Sequence, residues 1–135
     1  MVSKQDYIAL SDFRFRLARF LRFSEAAARA AGLTPVQYLL LLHVRGAAGR
    51  EWATVGELAE RLQASPHGTV ALVQRCQAKG LVAKKRSRTD ARQVEIHLTP
   101  QGRQLLRRVA AQHKDELRTL RQTFRIAQIN QPPAA

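Results

Sequence analysis

Three times along the chain a hydroxyl residue is followed directly by proline, at Thr34-Pro35, Ser65-Pro66 and Thr99-Pro100. Proline lacks an N–H and holds φ near −65°, which suits the first position of a helix, while a Ser or Thr before it can accept from that helix's free donors. Helices are therefore expected to start at these three points, and the stretches between them take their meaning from those starts.

After Thr34-Pro35, Val36 to Val44 reads as a mostly buried helix ending near Gly46, and Gly46 and Gly49 belong to the loop that follows. Ala53 to Val55 is short enough for a minimal strand, and Val55, Leu58, Ala59 and Leu62 then repeat at helical spacing. Ser65-Pro66 starts another helix, expected over Pro66 to Lys79 and closed by Gly80. Upstream of all of these, Leu10, Phe13, Leu17, Phe20, Leu21, Ala27, Ala28 and Ala31 make a helix that Gly32 stops.

Beyond Gly80 the period changes from helical to alternating. Val94, Ile96 and Leu98 alternate with Gln93, Glu95 and His97, a half-buried strand whose partner is Leu81 to Arg86. Between them lies the polar, turn-forming segment Ser87-Arg88-Thr89-Asp90-Ala91-Arg92, so the pair is a hairpin with a charged tip. Thr99-Pro100 opens the longest helix, expected to run to about Ala127. Its Leu106, Ala110, His113, Leu117, Leu120, Phe124 and Ala127 follow a seven-residue repeat, a stripe that calls for a partner helix and most simply for a second copy of the chain.

Charge narrows the function. Against 10 Asp and Glu stand 23 Lys and Arg, a formal net charge of +13, which implies an acidic partner. With 45% hydrophobic residues the chain is no disordered basic tail. Its longest apolar run, Tyr38 to Leu42, is too short to span a bilayer, and a single cysteine, Cys76, cannot form an intrachain disulfide. A soluble, cytoplasmic protein with no membrane partner is expected. No nucleophile with its base, phosphate loop or carboxylate pair stands out, so catalysis is not expected. His43, His67, Cys76, His97 and His113 have no paired zinc-ligand spacing, so neither metal nor cofactor is expected.

Two helices joined by the short turn Gln63-Ala64-Ser65 and followed by a cationic hairpin are the order of a winged helix-turn-helix. The fold class expected is mainly α with a small β-hairpin wing. Apolar spacing turns Leu72, Val73 and Cys76 of the second helix inward and leaves Pro66, His67, Gly68, Val70, Ala71, Gln74 and Arg75 outward beside the cap Ser65. Such a face can enter a major groove with its first turn on phosphate, and His67 and Gln74 are the candidates for base edges. Arg86 and Arg88 are candidate phosphate contacts.

Residues Leu58 to Leu106 resemble the multiple-antibiotic-resistance regulator (MarR) family. The resemblance is carried by LAERLQAS, by a helix ending KGLV and by KKRSRTDARQVEIHLTPQGRQLL, above all Asp90-Ala91-Arg92 followed by Leu98-Thr99-Pro100-Gln101-Gly102. It implies a homodimeric winged-helix repressor on a palindromic double-stranded operator, released by a small aromatic or phenolic effector. Arg92 matches the wing arginine of the minor groove, and Asp90 the acid that braces the wing. Members that resemble it carry a long side chain where this chain has Ala71, so specificity leans on the wing and on DNA shape.

The resemblance further implies an N-terminal dimerisation helix over 1–33, a winged domain over 34–98, a C-terminal dimerisation helix over 99–129 and a flexible tail over 130–135. Leu10, Phe13, Leu17, Leu117, Leu120 and Phe124 would then join the two copies. An effector pocket between the dimer helices and the winged domain would lie near Tyr38, His43 and Trp52. Cys76, where members usually have leucine, reads as a small apolar filler rather than an oxidant sensor. Two other readings compete: a non-specific architectural DNA-binding protein, and a winged-helix module that binds an acidic protein.

Overall fold

A computed structural model of the chain describes residues 1–114, 116–118 and 121. Helix α1 spans Lys4–Ala30 and α2 Pro35–Arg45; strand β1, Trp52–Ala53, precedes α3, Val55–Leu62, and α4, Pro66–Ala78; strands β2, Val82–Arg86, and β3, Val94–Leu98, lead to α5, Pro100–Gln112. The strands form one antiparallel sheet in the order β1-β3-β2. Lys84 pairs with Ile96 and Arg86 with Val94 in the hairpin, while Trp52 faces His97 across the other edge. The fold is the mostly helical winged architecture expected.

All three hydroxyl-proline pairs cap helices. Gln37 N donates to Thr34 Oγ1 at 3.1 Å, Gly68 N to Ser65 Oγ at 3.0 Å and Gly102 N to Thr99 Oγ1 at 2.9 Å. A fourth cap, Thr54, shares a reciprocal box with Glu57 at the start of α3. Helix α1 begins at Lys4 rather than Leu10, because Ser3 and Asp6 close a capping box of the same kind. The bond from the Ser3 backbone, then that from its side chain, holds the Asp6 carboxyl below its ordinary pKa.

Helix α2 is the hub. It packs against α1, α3, α4, α5 and the strands β1 and β3, and its Leu40, Leu41 and Val44 are fully buried. Leu58, Val73, Cys76, Ile96 and Val109 complete the centre of the core. Helix α1 is the exception, since it buries only Ala27 and Ala28 while Tyr7, Ile8, Leu10, Phe15 and Leu21 stay at least half exposed or close to it. At 1.5 Å per residue its 27 residues span about 40 Å.

Three expectations need correction. The short strand is Trp52–Ala53 rather than Ala53 to Val55, and Val55 belongs only to α3, which it opens as its helical spacing required. Leu81 is not in the hairpin strand: its N–H is held by Cys76 O and its carbonyl by Thr99 N, so it closes the turn after α4. The C-terminal helix is not continuous. It stops at Gln112, where the His113 N–H bonds Ala110 O in a tighter turn, and helical geometry resumes at Lys114. The reason is the His113 ring, only 5% exposed and drawn among Phe20, Phe23 and Tyr38. Within the expected stripe Leu106 and His113 are buried, Ala110 is half-buried and Leu117 is 56% exposed. Leu120, Phe124 and the expected tail at 130–135 lie outside the described residues.

Candidate nucleic-acid interface

The turn between α3 and α4 is made by Gln63, whose left-handed backbone (φ 54°) reverses the chain within three residues. Its side chain donates to Glu60 O at 2.9 Å, and Ala64 N to Ala59 O at 3.0 Å, so the turn answers the free carbonyls at the end of α3. Ser65 then starts α4. Thr69 is buried on the inner side and returns its hydroxyl proton to Ser65 O at 2.8 Å.

That start leaves Ser65, Pro66, His67, Gly68, Gln74 and Arg75 exposed, with Val70 38% exposed. Ala71 is half-buried, so of the outward set it is the one that the core partly takes back. Leu72, Val73 and Cys76 face the core as their spacing required. Burial pushes the Cys76 thiol up to about 11 against a weaker opposing pull from Lys79, the signature of an unreactive filler. The far end of α4 is tied down as well: Lys79 Nζ donates to Gln37 Oε1 at 2.8 Å and to Gly32 O at 3.2 Å, joining it to the α1–α2 junction.

The hairpin projects its cations. Lys84, Lys85, Arg86, Arg88 and Arg92 are all exposed. Asp90 braces the tip through the backbone: its Oδ1 accepts from Arg92 N at 3.0 Å and its carbonyl from Gln93 N at 3.0 Å. Among the described residues the Asp90 carboxylate makes no ion pair with Arg92, whose guanidinium is left to solvent. A residue that sequence reading passed over organises this loop. Ser87 is 8% exposed, and its hydroxyl oxygen accepts from Asp90 N at 3.2 Å and Thr89 N at 3.3 Å. The Ser-x-Thr-Asp order was the available signal, because a hydroxyl before a turn commonly accepts from donors two and three residues on.

The three effector candidates do not share one place. Tyr38 is buried against the His113 ring. His43 is half-buried at the end of α2, where burial and, secondarily, the Arg61 charge lower its pKa. Trp52 is half-buried under the Arg50 guanidinium, 4.1 Å above its ring. Of the dimer candidates, Leu10 and Leu117 are exposed, and Phe13 and Leu17 are half-buried. Among the described residues no helix is long and apolar enough to cross a membrane.

Residues 31–93, from the α1–α2 junction to the tip of the wing, match the MarR family model. The uncharacterized HTH-type transcriptional regulator YsmB of Bacillus subtilis is 31% identical over 71 residues, which are 53% of this chain and 49% of YsmB. The chain spans about half the length of the curated relatives it matches. Among solved structures, a mutant of S. aureus MepR bound to an oligodeoxyribonucleotide superposes with a TM-score of 0.66 at 18% identity, covering 88% of this chain and 83% of that one. Bordetella bronchiseptica BpsR, described for the regulation of its DNA binding by 6-hydroxynicotinic acid, gives 0.61 at 19% identity over 79% of this chain and 74% of its own. The helix-turn-helix and the tip of the wing lie inside the segment that matches the MarR family model, and the chain shares its winged fold with these solved structures.

Proposed function

We propose that the chain is a homodimeric, sequence-specific DNA-binding transcriptional regulator, a repressor acting in the cytoplasm and released from its operator by a small organic effector. The observation that carries this reading is the pairing of an exposed, Ser65-capped start of α4 with a wing whose five cations all face solvent. Duplex DNA is the acidic partner whose two grooves suit a helix and a narrow cationic flap at once. The likeness to MepR bound to an oligodeoxyribonucleotide, and to BpsR, supports the same reading.

In this reading His67 and Gln74 reach base edges in the major groove, Arg75, Arg86 and Arg88 hold phosphates, and Arg92 enters the adjacent minor groove. Asp90 acts on DNA only through the wing, by fixing the Arg92 backbone. A net charge of +13 per chain predicts binding that falls steeply with salt. The apolar residues that α1 leaves exposed, with Leu117, form the face for a second copy. Twofold symmetry then sets half-sites about 34–36 Å apart on one side of the duplex.

Selection of genomic fragments against excess random duplex tests the reading. One palindromic fragment should outcompete random DNA by about a thousandfold, and Arg92→Ala should weaken it by about tenfold without lowering Tm. A preference of only a few-fold across all fragments identifies an architectural DNA coat instead. No binding to any duplex at low salt favours the protein-interaction module. Sedimentation of Leu10→Glu/Leu117→Glu checks the assembly: monomers are expected, and an intact dimer sinks this face as the interface.

A further inference from the structure

Helix α4 carries one large apolar side chain on its outward face. Val70 is 38% exposed, three residues after His67 and four before Gln74, a spacing that sets the three in one row along the helix. Among the described residues between 43 and 116, the exposed large apolar side chains are Val70 and Val94, one on α4 and one on the wing. Stability gives no reason for a valine at position 70. A β-branched side chain is a poorer helix former than alanine, and apolar surface left in water adds nothing to folding.

The neighbours of Val70 are short. Gly68 lies two residues before it and the half-buried Ala71 directly after, so no long side chain beside it holds the helix away from a surface it approaches. Glycine also suits the cap, because a Cβ at position 68 would stand 3.1 Å from Ser65 Oγ. Valine in a helix is held largely to one χ1 rotamer, so its methyl groups lose little freedom on contact. Helix α4 contains no Asp or Glu to accept from a cytosine amino group, and its single guanidinium, Arg75, goes to phosphate in the regulator reading. The row left for base edges is an imidazole, an isopropyl group and a carboxamide.

The thymine C5-methyl is the one apolar group that the four bases present in the major groove. We propose that Val70 is a specificity-determining residue that packs on the C5-methyl of one thymine in each half-site, between the bases met by His67 and Gln74. This contact deepens the regulator reading and rests on it, adding a chemical requirement that the cations of the wing and of Arg75 do not impose. Covering the methyl removes apolar surface from water on both partners, and one methyl buried in this way is worth about fourfold in affinity.

Replacing the thymines of the selected operator one at a time by deoxyuridine, which lacks the methyl and keeps every hydrogen-bonding group, tests the contact on the intact protein. At one position in each half-site uracil should weaken the wild-type protein about fourfold, and at that same position Val70→Ala should lose less than about 1.5-fold. The paired comparison cancels any effect of uracil on the duplex itself. Val70→Ala should bind the thymine operator more weakly than wild type with its Tm not lowered, since alanine favours the helix. No uracil-sensitive position, or an equal loss in Val70→Ala at every sensitive position, overturns the contact and leaves the operator and the regulator reading standing. A protein that selects no fragment at all sinks that reading, and the contact with it.

Discussion

The imidazole of His113 lies parallel to the phenol ring of Tyr38, with centroids 5.4 Å apart and planes 11° apart. Phe20 and Phe23 meet the same imidazole edgewise at 5.9 and 5.4 Å, so α1, α2 and the end of α5 converge on one ring. His113 Nδ1 lies 2.8 Å from Val109 O, and because a carbonyl can only accept, Nδ1 carries the proton. Among the described residues the buried Nε2 has no hydrogen-bond partner. The cluster is held by ring packing, with one polar atom working against it.

Truncating Tyr38 should expose that dependence. Tyr38→Ala is expected to destabilise the fold by about 3 kcal/mol, and Tyr38→Phe, which keeps the stacked face, by less than about 1 kcal/mol. Urea denaturation measures both, and equal losses would mean that the phenol hydroxyl rather than the stack matters.

Gly102 illustrates a contact that no side chain can relieve. A Cβ there would sit 2.1 Å from Leu81 O, a backbone atom held in place by the N–H of Thr99. Alanine is worth about 1 kcal/mol over glycine within a helix, yet Gly102→Ala should lower stability by about 2 kcal/mol net, seen as a shifted urea midpoint. A neutral or stabilised variant would show that α5 can slide off the turn at Leu81.

Cys76 is fully buried with its thiol pushed up to about 11. Iodoacetamide at pH 8 should leave the native protein unmodified and label it readily in urea. Rapid labelling of the folded chain would reopen an oxidant-sensing role.

For His43 the sign of the pH effect follows from its lowered pKa. As pH falls, the unfolded chain takes up the proton first, near the ordinary value of 6.5. The neutral ring's contribution is thus complete above that value and is lost as pH falls through the folded pKa. Tm should drop between about pH 7 and pH 5, and His43→Gln should flatten part of that drop. Arg61→Gln should raise the His43 pKa, read by NMR titration of the ring, because it removes the second cause of the lowering.

Most of the candidate interface could be read in advance. The helix starts at Thr34, Ser65 and Thr99 depend on a side chain and a backbone donor three residues away, so they are written locally. The hairpin was equally plain, although of the alternating Val94, Ile96 and Leu98 only Ile96 and Leu98 are buried, while Val94 at the wing end is 42% exposed. The position of Arg92 at an exposed tip follows from its place in the turn. The resemblance implied Asp90 as the brace and the Ser-x-Thr-Asp order pointed to Ser87, but which backbone donors they hold depends on how the loop residues fold back on one another.

Spacing along the chain also misjudged the end. A seven-residue repeat through Leu106, Ala110, His113 and Leu117 describes an unbroken stripe, but periodicity treats His113 as a place on a helix and knows nothing of Phe20, Phe23 or Tyr38. The same holds for Arg50 and Trp52, a loop side chain lying over one from a strand. Caps, turns and alternation are short-range chemistry, settled within four residues. Where the last helix breaks and which rings meet there are settled by packing between distant segments, and only the folded chain brings those together.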